Sequence, residues 1–462
     1  MPRSQTLNRP LALLVAATFF MENLDGTIIQ TAAPLMAVDF GVRAVDINLA
    51  MTAYLLTLAV GVPASGWLAD RFGTKRVFCS AIVVFTVASL LCALSPSLPL
   101  LVAARVLQGL GGAMMVPVGR LAVLRAVDKR DLLDAIAYLT WPALLAPVIA
   151  PALGGIIADT IGWHRIFLIN IPIGIVAMIL GVRLVPSGQI AQRHPFDLIG
   201  FALLGVALAA LVLGMEEFGT NLVAALLMVA LAVLAGALGV WRMLRAAHPL
   251  LRFSALRIPT FRVGNVGGGV YRMLISAAPF VFTLMFQEGF GWSASLAGIL
   301  VVAVFAGNIV IKPATSPLIR RFGFRAVIVG SNLAGAAVYV WCAFLTQQTP
   351  LAVIAVALFL SGVFRSIGFS GYNSVQFADV DPEQTNEANT LASTMQQTAA
   401  GLGIAVAALI VRLTTSVADL VDPSDPGLGY RWAFFVVAAM LLFPAIEAAR
   451  LPAQAGAGVV RR

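Results

Sequence analysis

Apolar runs near 20 residues recur from one end of the chain to the other. A helix of that length crosses ~30 Å of hydrocarbon and satisfies its own backbone there. Candidate spans fall near 11–36, 47–68, 77–95, 99–121, 135–158, 164–184, 197–215, 221–241, 262–286, 294–315, 326–345, 350–372, 388–411 and 431–450. The expected fold class is an all-α membrane protein of about fourteen transmembrane helices. The alternating pattern of a β-barrel is absent. Only 11% of the 462 residues are charged, whereas a soluble domain carries about 25%. Arg3 and Arg9 precede the first run in the manner of a signal peptide. Glu22 and Asp25 interrupt that run and it continues past both, so a retained first helix is expected.

Basic residues set the orientation. With the connections alternating sides and the N-terminus inside, 23 of the 30 Lys and Arg fall on the inner side and four, Arg43, Arg165, Arg412 and Arg431, on the outer. Arg105, Arg272 and Arg365 remain within spans. One missed helix would invert every later loop, so this bias supports the count and places both termini in the cytoplasm. It also explains the net charge of +9 without nucleic acid as a partner. The inner loop with Asp379, Asp381, Glu383 and Glu387 is acidic and reads as a solvated turn or a gating element. Cys79, Cys92 and Cys342 lie inside apolar segments and are odd in number, so no disulfide framework follows.

One charged turn organises the rest: Gly66-Trp67-Leu68-Ala69-Asp70-Arg71-Phe72-Gly73-Thr74-Lys75-Arg76. Gly66 lets two helices approach closely, and Gly73 permits a backbone conformation closed to other residues. The basic cluster holds the turn inside. A second copy runs Ser316-Pro317-Leu318-Ile319-Arg320-Arg321-Phe322-Gly323-Phe324-Arg325, offset by 250 residues. Two six-helix pseudo-repeats are expected, 1–184 and 262–462, with two inserted helices and a basic loop over 185–261. The inserted spans carry no charge inside and read as lipid-facing padding. In the second copy Arg320 replaces Asp70, so an acidic lock is expected in the first half only.

The first turn resembles the G-x-L-x-D-R-x-G-x-[KR]-[KR] loop of major facilitator superfamily transporters and meets every fixed position. Further stretches resemble that superfamily's fourteen-helix drug:H+ antiporter branch. Leu24-Asp25-Gly26-Thr27-Ile28-Ile29-Gln30-Thr31-Ala32-Ala33-Pro34 is similar to L-D-x-T-I-V-N-x-A-L-P, with Gln30 for Asn and Ala33 for Leu. Arg105 to Ala113 matches R-x-x-Q-G-x-G-x-A, and Trp163 to Gly174 resembles W-R-x-I-F-x-I-N-x-P-x-G. The run Gly112 to Arg120 resembles the bacterial multidrug-resistance protein D subgroup. The fifth-helix pattern G-x-x-x-G-P-x-x-G-G departs, with Ala146 and Ala150 at its leading glycines beside Pro147, Pro151, Gly154 and Gly155.

Ionisable groups in hydrocarbon are costly and mark functional candidates. Glu22 and Asp25 share a helix face, and ~1.5 Å per residue puts them about 16 and 21 Å deep. Each either loads and releases a proton or, for Asp25, neutralises an intramembrane arginine. Asp25 holds the family position, whereas Glu22 lies outside the pattern and is equally a candidate for setting substrate charge preference. The resemblance implies that Arg105 influences protonation of the first-half acid; the alternative is a partner for helix-end carbonyls. Arg272 and Arg365 either neutralise those acids or bind an anionic substrate, and Lys312 is expected to snorkel to the cytoplasmic surface. Tyr54, Trp141, Asn308 and Gln396 are candidate substrate-binding residues, with interhelical packing the plainer reading. Asp70, Arg71, Gly73 and Lys75 are candidate gating residues, and Arg320 is not expected to reproduce the Asp70 contact.

The resemblance implies a proton-coupled exporter of small amphipathic compounds, working by alternating access in a bacterial inner membrane. Its expected partners are the substrate, protons and the bilayer. No phosphate-binding G-x-x-x-x-G-K-[ST] stretch occurs, so a gradient supplies the energy. No cofactor or metal is expected. The alternatives are a transporter of an anionic metabolite or metal chelate, and a lipid-handling or receptor protein on the same fold. A membrane-embedded enzyme is disfavoured, because His164, His194 and His248 form no metal-ligand spacing.

Overall fold

The computed structural model describes residues 9–42, 47–128, 131–187, 195–217, 221–292, 294–452 and 454–460. Arg3, Arg43, Lys129, Arg130, Arg193, His194, Arg461 and Arg462 lie outside the described residues, as do the side chains of Gln30, Thr31, Pro34, Pro147 and Pro151. Every regular element among the described residues is helical. The chain opens with α1 (Arg9–Phe40), α2 (Asn48–Gly61), α3 (Ser65–Phe72), α4 (Thr74–Ala93), α5 (Leu98–Arg125), α6 (Leu132–Ile161), α7 (Arg165–Leu168) and α8 (Asn170–Leu184). Next come α9 (Leu198–Glu217) and α10 (Leu222–Arg245). After these come α11 (Pro259–Arg262), α12 (Gly268–Leu284), α13 (Ala294–Val310), α14 (Lys312–Cys342) and α15 (Leu351–Ala378). The chain continues with α16 (Thr385–Val421), α17 (Leu428–Met440), α18 (Leu442–Ala449) and α19 (Ala457–Val460).

Ten helical stretches among the described residues are long and apolar enough to cross a membrane, and Leu198–Gly214 and Leu296–Val310 are shorter apolar helices. The chain is therefore a multi-pass helical membrane protein. Two boundaries differ from the sequence reading. The span expected at 294–315 stops at Val310, and α14 then carries the second turn inside itself, bent at Gly323. The first half of the long α16 is polar. Asn386, Asn389, Thr390, Ser393 and Thr394 are nonetheless buried there.

The chain divides into two compact units. The first comprises Met1–Asp131, Tyr138–Phe253 and Asp381–Thr394, so it takes the opening turns of α16. Inside it α5 packs on α2 and α4, and α9 packs on α10 and α2. The small residues of the R-x-x-Q-G-x-G stretch set these distances. A Cβ on Gly109 would stand 2.7 Å from the Tyr54 carbonyl oxygen, and one on Gly111 2.8 Å from the Phe85 backbone nitrogen. Such near-backbone contact lets helices associate by packing where lipid offers no hydrophobic drive. Ala146 and Ala150, at the altered fifth-helix positions, are fully buried in a cluster with Ile29, Met36 and Phe167.

The second unit comprises Leu132–Ala137, Ser254–Val380 and Met395–Arg462. Here α15 packs on α13 and α14. Gly307 and Gly362 face each other's helices, since added Cβ atoms would stand 2.0 Å from the Phe359 oxygen and 1.9 Å from the Val304 oxygen. Two π-helical segments, Val263–Gly267 and Met285–Gly289, flank α12. Such segments interrupt the regular ladder and often mark functional positions.

Candidate functional site

The first unit holds a buried polar cluster between α1, α4, α5 and α8. Asp25 is 1% exposed and Arg105 fully buried. The Arg105 guanidinium donates to Asp25 Oδ2 through Nη1, which also reaches Gln108 Oε1 at 2.7 Å. Asp25 Oδ1 accepts from Gln108 Nε2 at 2.8 Å and Asn170 Nδ2 at 2.7 Å. Ser89 Oγ accepts from the same two amides, at 2.8 and 3.2 Å. Both carboxylate oxygens of Asp25 are thus engaged. The guanidinium also lies 4.0 Å from the centroid of the Tyr54 ring, a favourable cation–π distance. A pair removed from water in this way persists only when its remaining donors and acceptors are met. Gln108 and Asn170 meet those of Asp25.

At the edge of this cluster three polar atoms have no hydrogen-bond partner: Glu22 Oε2, Tyr54 Oη and Arg105's own Nη2. They are neighbours. A Cβ on Gly112 would stand 3.5 Å from Tyr54 Oη and 3.7 Å from the Glu22 carboxyl carbon. Buried polar atoms are nearly always paired, so a group of three orphans calls for an exchangeable partner such as a proton, water or ligand.

The second unit has buried cations instead of a buried acid–base pair. Arg272 Nη2 donates to Asn373 Oδ1 at 2.8 Å, and Nη1 to the Gly264 carbonyl at 3.1 Å, inside the first π segment. Its Nε and the Nη1 of Arg365 have no partner. Arg365 lies 5.9 Å from the Phe305 ring centroid, and Tyr271 donates to the Phe364 and Arg365 carbonyls. Lys312 is 3% exposed and donates to Ser370 Oγ at 2.7 Å. That corrects the expectation that Lys312 snorkels: its helix start is covered, and the hydroxyl of α15 takes the ammonium inward. None of these three cations is in an ion pair among the described residues.

The two turn motifs share a backbone. Gly73 has φ +88° and Gly323 φ +79°, a region favouring glycine because a side chain there meets its own backbone. Their locks differ. In the first unit Asp70 accepts from Asn386 Nδ2, which also reaches the Gly66 carbonyl at 3.2 Å, and Arg125 stands 3.4 Å from the same carboxylate. Gly66 is required, since a Cβ there would fall 2.1 Å from Thr390 Oγ1. Arg120 adds bonds to Asn389 Oδ1 at 2.7 Å and Ser393 Oγ at 2.5 Å. The acidic loop is more than a solvated turn, because Glu387 pairs with Arg252 at 2.9 Å. In the second unit Arg320 pairs with Asp134 at 2.7 Å. The expectation that Arg320 forms no equivalent contact is corrected: the polarity reverses because Asp134, in the first turn of α6, supplies the carboxylate.

Arg71 stacks 5.5 Å from the Trp67 ring centroid, and Lys75 is half-buried against Gly73 and Arg76. Gln396 donates to Gln376 at 3.3 Å. Asn308 is buried at the α13–α15 crossing, and Trp141 is 46% exposed on α6. Neither joins the clusters above. Sequence reasoning quoted Gln108 and Asn170 as motif residues but assigned them no role. Asn386 and Asn389 carried no motif at all; the polar run at the head of an otherwise apolar span was their only sign.

Long apolar helices carrying buried charged side chains are what a multi-pass membrane transporter needs. The Major Facilitator Superfamily profile matches residues 15–264 and 264–453. A Klebsiella pneumoniae protein named "Putative multidrug resistance protein MdtD" is 36% identical over 452 residues, covering 97% of this chain and 96% of that one. Its Escherichia coli O6:H1 namesake is 36% identical over 446 residues, covering 95% and 94%. Among solved structures, the human organic anion transporter MFSD10 superposes with a TM-score of 0.67 at 14% identity, covering 97% of this chain and 100% of that one. The proton:xylose symporter XylE gives 0.60 at 12% identity, covering 95% and 94%. The chain belongs to the Major Facilitator Superfamily. It is a transporter of small molecules across a membrane, not an enzyme.

Proposed function

We propose that this transporter exports small amphipathic compounds in exchange for protons, by alternating access, in the inner membrane of a bacterium. About fourteen spans with both termini cytoplasmic accommodate the charge bias, and 1–184 and 262–462 act as the two rocking halves around the insert 185–261. The observation that carries the proton role is the unpartnered Glu22 Oε2 beside Asp25, whose two carboxylate oxygens are both engaged. Glu22 is the carboxyl free to accept and release a proton, with Tyr54 beside it for the substrate, while Asp25 and Arg105 hold the site in shape. Asp70, Arg71, Gly73 and Lys75 act as the inner gate. The multidrug-resistance name of the relatives supports an amphipathic substrate.

The test uses inside-out vesicles carrying the protein under an imposed proton gradient. A lipophilic cation or neutral amphiphile is expected to dissipate the gradient, and Glu22→Gln to abolish the response. Dissipation unchanged in that variant overturns the proton assignment.

A second reading, export or uptake of an anionic metabolite or metal chelate, is favoured by the unpartnered nitrogens of Arg272 and Arg365. Guanidinium groups with open donors are suited to carboxylate. A response in the same vesicles to a tricarboxylate alone selects this reading.

A further inference from the structure

Two cavities of about 420 Å³ each lie at the turn between α3 and α4 in the first unit, and both are lined by Phe72 and Arg76. Their walls are chemically different. One is a groove among α3, α4 and α5, formed by apolar residues such as Leu68, Val84, Leu107, Leu110 and Met114. The other is lined by Gly73, Lys75, Arg76, Cys79, Val182 and Ser187. Phe72 and Leu110, both 47% exposed, border the apolar groove. Neither Lys75 nor Arg76 is in an ion pair among the described residues, so two cations stand beside the polar cavity uncompensated.

The dimensions suit one kind of occupant. From Arg76 to Val84 is eight residues of α4, ~12 Å along the helix axis. That is most of one leaflet of a ~30 Å hydrocarbon core. A basic mouth at the interface continuing into an apolar groove of this depth matches a headgroup phosphate joined to an acyl chain. Basic pockets beside transmembrane helices are suited to anionic lipid. A soluble anion would fill the polar cavity and leave the groove unused, and a zwitterionic lipid brings its own ammonium beside its phosphate, so it offsets the two cations less than an anionic lipid does.

We propose that these two cavities form a site for one anionic phospholipid, its phosphate held by Lys75 and Arg76 and one acyl chain lying in the α3–α4–α5 groove. The lipid is drawn from the leaflet at the turn end, cytoplasmic in the orientation above. It then contacts the helix that carries Asp70, which ties lipid composition to the lock. This goes beyond the transport reading and does not depend on the substrate.

The test is native mass spectrometry of the purified full-length protein with phosphatidylglycerol or phosphatidylcholine added. Phosphatidylglycerol is expected to be retained in preference, with the preference falling roughly fivefold for each basic residue lost in Lys75→Gln and Arg76→Gln. Arg76→Lys is expected to keep it. Val84→Trp fills the groove and is expected to weaken both lipids alike. A phosphatidylglycerol carrying a photoreactive tail should label α5 near Leu107 and Leu110. Equal retention of the two lipids by the natural sequence, preference intact in the double Gln variant, or labelling elsewhere overturns the site. Displacement by glycerol phosphate alone at equal concentration also overturns it, because the groove then contributes nothing.

Discussion

Arg320 donates to the Asp134 carboxylate at 2.7 Å, at the position in its turn that Asp70 occupies 250 residues earlier. The turn thus gives the acid in one copy and the base in the other. The partner is in each case the first turn of a long helix, Asn386 of α16 for Asp70 and Asp134 of α6 for Arg320. Pseudo-symmetry is kept in backbone and position while polarity is exchanged. Reversal removes a like-charge alternative: Arg320 opposed to Asn386, or Asp70 to Asp134, would lose one ion pair or create a repulsion.

Both locks are partly exposed, so breaking one is expected to change rates more than stability. Asp70→Asn is expected to slow transport without abolishing substrate binding. Arg320→Asp is expected to slow it roughly two- to fivefold, the scale of an exposed ion pair. Combining it with Asp134→Arg should restore most of the loss. Initial rates in reconstituted vesicles measure this, and failure of the swap to rescue would remove the second lock.

Gly66 sits where a methyl group has no room beside Thr390. Gly66→Ala is expected to cost about 1–3 kcal/mol by overpacking, seen as a lower melting temperature in detergent. Thr390→Ala removes the obstructing hydroxyl, so the double variant should recover part of the loss. A loss of equal size in both backgrounds would show that the contact is not the cause.

Asp25 and Glu22 separate by different measurements. Asp25→Asn leaves the Arg105 charge buried without its carboxylate, and breaking such a pair costs about 3–5 kcal/mol. Glu22→Gln leaves every hydrogen bond between Asp25, Arg105, Gln108 and Asn170 in place and is expected to retain the melting temperature while losing proton-coupled flux. A thermal shift series on the two variants, paired with vesicle fluxes, reads both outcomes.

Arg272→Met and Arg365→Met should act on substrate choice. If the second unit receives an anionic group, each variant lowers tricarboxylate flux at least about tenfold, the loss of one charge-assisted bond of ~1.5–3 kcal/mol. Flux of a lipophilic cation should be unchanged or raised. Equal effects on both substrates would assign these arginines to packing.

Much of this protein is determined by its sequence alone. Run length and low charge fix a helical multi-pass membrane protein, because an unpaired backbone is intolerable in hydrocarbon. The turn occurs twice, offset by 250 residues, and its pattern marks Gly73 and Gly323 for a positive φ that few other residues adopt. The acids at 22 and 25 are conspicuous because charge in a span is rare. What the sequence leaves open is who pairs with whom. Glu22 and Asp25 look alike three residues apart, yet only Asp25 meets Arg105, Gln108 and Asn170, whose side chains converge from α5 and α8. Arg320 looks like a lost lock until Asp134 is found beside it, 186 residues away. Lys312 looks like a surface cation until α15 covers it. Periodicity and composition act along one helix and are read from neighbours in sequence. Ion pairing and burial depend on distances of a few ångströms between helices, and only the packed tertiary structure decides those.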